Sequence, residues 1–99
     1  MSWFIYILLC DQKTYYIGIT NNLSHRLQTH KRRENIGTAE FSEIELVYTE
    51  KYLTRKAVEK REKQLKGWTF AKKRALIDGN MILLKQLSKA HGHVEDGSR

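Results

Sequence analysis

Proline is absent from this 99-residue chain, and cysteine occurs once, as Cys10. A lone cysteine excludes an internal disulfide framework and fits a reducing compartment. Its place at the end of an apolar run marks a buried, inert thiol, not a nucleophile. Acidic residues are the minority, 11 against 18 Lys and Arg, which leaves a formal charge of +7. An anionic partner is therefore expected. Nucleic acid is favoured over a membrane surface, because the basic residues are dispersed through the expected elements with Tyr and Trp among them. Long apolar stretches are missing too: the run from Trp3 to Cys10 is too short to span a bilayer, and no basic segment or small-residue cleavage site marks it as a leader. The expectation is a cytoplasmic protein without membrane contact. Repeats and low-complexity blocks are also absent, and the length gives room for one modest core.

What is present begins with two β-rich runs, Trp3 to Cys10 and Thr14 to Thr20, joined by Asp11-Gln12-Lys13. They read as a hairpin. The first run is apolar on both faces, so it is expected to be central or covered on both sides. With the turn at 11–13, Cys10 faces Thr14, Tyr6 faces Gly18, and Tyr16 is the diagonal neighbour of Tyr6 on one face. Gly18, without a side chain, allows the Tyr6 ring, a helix or a phosphate to approach the strand closely. Asn21-Asn22 starts a helix expected from about Leu23 to Arg33, with Leu23 and Leu27 as its apolar stripe. Arg26 and His30, four apart, share a face beside that stripe. An arginine there suits a phosphate, since its donor fork matches two oxygens, although a solvated basic helix would have the same spacing.

The segment from Lys31 to Phe41 has no clean period and reads as a loop. Its basic start, Lys31-Arg32-Arg33, is a candidate nucleic-acid contact, and Gly37-Thr38 could turn backbone amides toward a phosphate, although an ordinary connector is the preferred reading. Alternation over Glu43 to Glu50 predicts a third strand with Ile44, Leu46 and Tyr48 inward. Thr54 can cap a helix from Arg55 to Lys66, stopped by Gly67. Val58, Glu62 and Leu65 form its stripe, so Glu62 is a carboxylate at an apolar-face position and needs a cation, a metal or a strong donor as partner. An ion pair with Arg61 or Arg26 would satisfy it structurally. A further helix is expected over Phe70 to Ile77, ended by Asp78-Gly79-Asn80, with Lys72, Lys73 and Arg74 as a second candidate nucleic-acid surface. A short amphipathic helix over Met81 to Ala90 and a frayed tail from His91 complete the chain. The His91-Gly92-His93 pair carries metal-ligand residue types but sits at a polar chain end.

Taken in order, an aromatic triplet ending in Tyr6, the triplet Tyr16-Ile17-Gly18, Arg26 eight residues later, His30 four beyond it and Glu62 on a later helix resemble the GIY-YIG nuclease superfamily. The likeness runs from about residue 2 to 78 and is to small stand-alone members of the UPF0213 or URI-domain kind. The segment Arg61 to Trp68 resembles the helix that supplies their acidic residue. One departure is plain: the first triplet is Phe4-Ile5-Tyr6, so its glycine is missing. The resemblance implies an α+β, sandwich-like fold with a three-stranded antiparallel sheet flanked by helices in the order β-β-α-β-α-α. It divides the chain into a nuclease domain over 1–79 and an extension over 80–99. It also implies a metal-dependent endonuclease that hydrolyses phosphodiester bonds in DNA. Tyr6, Tyr16, Arg26, His30 and Glu62 are then catalytic, Ile17 and Gly18 belong to the structural motif, and Glu62 holds one Mg²⁺ or Mn²⁺. A structure-selective role in DNA repair or recombination, or specificity borrowed from a protein partner, is compatible with the likeness. The alternative is a catalytically silent nucleic-acid-binding module of the same fold.

Overall fold

A computed structural model describes residues 2–32, 34 and 37–92, with side chains described to 89. Its elements in chain order are strands β1 (Trp3–Cys10) and β2 (Thr14–Thr20), helix α1 (Leu23–Lys31), strand β3 (Ile44–Tyr52) and helices α2 (Arg55–Lys66), α3 (Phe70–Ile77) and α4 (Met81–Gly92). The chain divides into two compact units, Met1–Lys66 and Gly67–Arg99. Arg33, His93 and the rest of the tail lie outside the described residues. Among the described residues, no helix is long and apolar enough to cross a membrane.

In the first unit the sheet has the order β2-β1-β3, with β1 antiparallel to both neighbours. The central place explains why β1 is apolar on both faces: Ile5, Tyr6, Ile7, Leu8 and Cys10 are all buried. The hairpin register is as expected, with Cys10 opposite Thr14, Leu8 opposite Tyr16 and Tyr6 opposite Gly18. Asp11 and Gln12 take left-handed backbone conformations (φ 52° and 62°), and the Asp11 carboxylate accepts from the amides of Ser42 and Glu43 at 3.0 and 2.7 Å. The turn is thereby tied to the start of β3, which fixes the register of the third strand.

β3 departs from the simple alternation. Leu8 pairs with Leu46 but Ile7 pairs with Tyr48, so Val47 is an extra residue in a β-bulge. Because directly opposed residues share a face, Ile44 and Leu46 lie on the Tyr6–Leu8–Cys10 face, whereas Tyr48, Glu50 and Tyr52 lie on the Ile5–Ile7 face. The three residues expected on one inward face are therefore split between two, and Leu46 is exposed.

The helices begin where side-chain caps put them. Asn22 accepts from the His25 amide at 3.1 Å, Thr54 from Ala57 at 3.1 Å and Thr69 from Lys72 at 3.2 Å. α1 ends at Lys31, two residues short of the expected Arg33. Its Leu23 and Leu27 pack on Tyr6, Leu8 and Cys10 together with Tyr16, Phe41 and Ile44. Cys10 is buried as expected, and burial, with the Asp11 charge, raises its thiol pKa. α2 buries Val58 and Leu65 and lies against all three strands. In the second unit α3 packs on α4, and the link between them turns at Gly79 (φ 72°), where the Asn80 amide bonds back to the Ala75 carbonyl at 2.9 Å.

One polar cluster fastens α2 to the sheet. Arg61 donates to both Glu50 oxygens, from Nε and Nη2, each at 3.0 Å, and the Tyr48 and Tyr52 hydroxyls donate to the same carboxylate. Burial alone would raise the Glu50 pKa, but these donors outweigh it and hold the carboxyl below its ordinary range. The same carboxylate helps push Tyr48, whose burial is the larger cause, up to about 12. A depressed carboxylate pKa stabilises the fold above the unfolded value of about 4.3, and this contribution is lost as pH falls through the folded value. Glu50→Gln is therefore expected to cost about 1–3 kcal/mol near neutrality. In urea melts the gap to wild type should shrink as pH drops below about 4.

Candidate active site

Gly18 opens the site. A β-carbon built there would fall on the ring and hydroxyl of Tyr6, so the bare strand lets that ring lie across β2. Tyr6 itself is only 1% exposed. Its hydroxyl reaches His30 Nε2 at 2.9 Å, delivered from the last turn of α1. Tyr16, on the same sheet face, stands edge-on to the His30 ring at a centroid distance of 5.2 Å and is 6.4 Å from the Tyr6 ring. The three rings form one cluster, the two tyrosines converging as the register required.

Two charges act on this cluster. Burial is the main reason the Tyr6 hydroxyl is far harder to ionise than a free tyrosine, and repulsion from Tyr16 adds to it. The Arg26 guanidinium opposes that shift by charge and by hydrogen bonding, whereas the Glu62 carboxylate reinforces it. Arg26 and Glu62 therefore both bear on one hydroxyl. β1, β2, α1 and α2 contribute Tyr6, Tyr16, Arg26 with His30, and Glu62 respectively. Burial, seconded by Arg26, also holds the His30 imidazole below the usual histidine range, so the ring is neutral at pH 7.

Glu62 is not buried outright. Its side chain is 23% exposed and pairs with Lys66, one turn on, at 3.3 Å. Arg61, one of the two structural partners considered from sequence, pairs with Glu50. Among the described residues no group of three or more His, Cys, Asp and Glu side chains could hold a metal ion. What Glu62 offers is one hard oxygen ligand at an accessible rim. That donor set suits Mg²⁺ or Mn²⁺, ions that keep several waters and bind through one or two carboxylates plus substrate phosphate.

Sequence reasoning missed Thr38. Its side chain is completely buried and its hydroxyl lies 2.6 Å from His30 Nδ1, so the side chain faces inward. The only signal for it was a β-branched hydroxyl residue beside Gly37 in a loop without periodicity. Of the basic candidates, Lys31 and Arg32 are exposed at the end of α1. In the second unit Lys72 stacks over Trp68 at 4.4 Å, which desolvates it and lowers its pKa. Lys73 is half-buried and Arg74 approaches Asp78 at 3.7 Å.

Residues 2–75 match the model of the GIY-YIG catalytic domain. A UPF0213 protein of Natronomonas pharaonis is 33% identical over 75 residues, covering 75% of this chain and 88% of its own. One from Bacillus pumilus is 32% identical over 89 residues, covering 89% and 90%. The solution NMR structure of a UPF0213 protein from Bacillus halodurans superposes with a TM-score of 0.53 at 24% identity, over 79% of this chain and 84% of that one, a likeness of fold. With its sheet, its two motif tyrosines and its match over three quarters of its length, the chain belongs to the GIY-YIG catalytic-domain family, a nuclease-type family, among the UPF0213 proteins.

Proposed function

We propose that this chain is a metal-dependent endonuclease that hydrolyses phosphodiester bonds in DNA. The observation that carries the reading is the cluster of the Tyr6, Tyr16 and His30 rings, with the Tyr6 hydroxyl bonded to His30 and under the opposed charges of Arg26 and Glu62. Aromatic packing alone would account for the two tyrosines but not for a cation and a carboxylate whose charges act on the same hydroxyl.

Hydrolysis needs a positioned water and a neutralised phosphorane-like transition state. Arg26 binds the scissile phosphate through its donor fork and counters the charge added as the water attacks. Tyr16 is the better placed of the two tyrosines to orient that water, because it is only half-buried whereas the Tyr6 hydroxyl is enclosed and held protonated. Tyr6, hydrogen-bonded to His30, keeps the Tyr16 ring in place and gives the site a neutral partner that can pass or receive a proton. Glu62 would hold the divalent cation, which when bound supplies positive charge to the phosphate and the leaving oxygen. Lys31 and Arg32 lie exposed in the same unit and would track the flanking backbone, while Lys72, Lys73 and Arg74 are a separate candidate nucleic-acid contact of the second unit. A structure-selective role in DNA repair is the finer form of this reading.

The test is a panel of labelled plain, nicked, flapped and branched DNA, with matched RNA, incubated with Mg²⁺, Mn²⁺ or EDTA. Metal-dependent cutting with a preferred structure is expected. Salt-sensitive binding without cutting under either metal would instead make the chain a silent binding module.

A further inference from the structure

The His30 ring is enclosed, with a hydroxyl at each nitrogen: Tyr6 at Nε2 and Thr38 at Nδ1. A neutral imidazole donates from one nitrogen and accepts at the other, and each hydroxyl can play either part. Two arrangements therefore satisfy the same distances, and they differ in chemistry. In one, Nε2 carries the proton and its lone pair is unavailable to Tyr6. In the other, Nδ1–H donates to Thr38 Oγ1 and the bare Nε2 accepts from the Tyr6 hydroxyl.

Arg26 selects between them. Its positive charge acts on both Tyr6 and His30, and a guanidinium can only donate. An N–H aimed at the Tyr6 oxygen from Nε2 would leave the hydroxyl proton no acceptor on the ring and set a further positive dipole end beside that cation. Directing the Tyr6 O–H away from Arg26, onto a bare Nε2, avoids this. Thr38 is built to receive the other proton. It is β-branched and therefore stiff at χ1. Its carbonyl accepts from the Phe41 amide at 3.1 Å, and Phe41 packs on the Tyr6–Leu8–Cys10 cluster. The turn thus pins the Thr38 hydroxyl against the ring from a fixed direction.

We propose that Thr38 is a positioning residue that accepts the His30 Nδ1 proton and so fixes the tautomer whose Nε2 lone pair faces Tyr6. Its significance for rate rests on the nuclease reading above, but the tautomer itself does not. If Tyr6 gives up its proton during turnover, the proton passes from Oη to Nε2, leaving a phenolate beside an imidazolium that retains its Nδ1–H bond to Thr38. Thr38 would then act on Tyr6 only through His30.

The decisive measurement is a long-range proton–nitrogen correlation spectrum of the ring nitrogens in uniformly ¹⁵N-labelled protein near pH 7.5, with His30 assigned by comparison with His30→Asn. A pyridine-type Nε2 and a pyrrole-type Nδ1 are expected in wild type and in Thr38→Ser. In Thr38→Val the Nδ1 resonance should shift toward the pyridine type. A pyridine-type Nδ1 in wild type, or an unmoved tautomer in a folded Thr38→Val, overturns the proposal; should the valine variant fail to fold, the wild-type spectrum decides. Where cleavage is measurable, Thr38→Val should slow it about 10- to 100-fold and Thr38→Ser should restore it. Absence of cleavage in wild type would count against the nuclease reading alone, because the spectrum still decides the role of Thr38.

Discussion

Gly18→Ala is expected to lower the melting temperature by roughly 5–25 °C. The added methyl falls on the Tyr6 ring and hydroxyl, and neither partner can yield easily. Tyr6 is held from the other side by His30 and is almost fully enclosed, while Gly18 sits in a ladder between fixed neighbours. Overpacking of this kind costs about 1–3 kcal/mol or somewhat more, and each kcal/mol moves a domain of this size by about 4–8 °C. Circular dichroism melts read the change. A double-mutant cycle identifies its cause: in a Tyr6→Leu background the same alanine should cost much less, since the ring it strikes is gone. A melting temperature within about 2 °C of wild type would mean that the Tyr6 ring does not cross β2 as described.

Arg26→Ala should slow single-turnover cleavage by about 10²- to 10³-fold, the loss typical of removing one preorganised donor from a developing charge. Duplex affinity should fall much less, because many other Lys and Arg residues contribute to it. Arg26→Lys is expected to recover little, since an ammonium restores the charge but not the planar fork. Parallel binding and cleavage assays separate these effects. A rate within a few-fold of wild type for the alanine variant would remove Arg26 from the chemistry and leave it as a fold-stabilising cation beside Tyr6.

Much of this site could be read from residue spacing. A three-residue turn and strict alternation determine which residues oppose one another in the hairpin, so the Tyr6–Gly18 pairing and the approach of Tyr16 followed directly. Thr54 and Gly67 bracket α2, and its observed span, Arg55–Lys66, is the expected one. The bulge at Val47 was not legible. Ile44, Leu46 and Tyr48 keep a period of two whether or not a residue is inserted, and only pairing with β1 reveals the slip. Glu50 was not singled out because a carboxylate at the end of an alternating run gives no local sign of its partners, yet it gathers Tyr48, Tyr52 and Arg61. Thr38 was hidden for another reason. Its loop has no periodicity, so its burial depends on a long-range contact with His30 that local sequence does not encode. Glu62 is paired with Lys66, one turn along its own helix.

The most direct test of the central claim compares wild type with Glu62→Gln in the cleavage assay, at saturating Mg²⁺ and Mn²⁺, after circular dichroism has shown both to be folded. Glutamine keeps the shape and removes the charge that would hold the cation. The account predicts metal-dependent cutting by wild type and none detectable from the variant, with DNA binding retained by both. Equal cutting by the two proteins would contradict it, because the nuclease would then owe nothing to the Glu62 carboxylate.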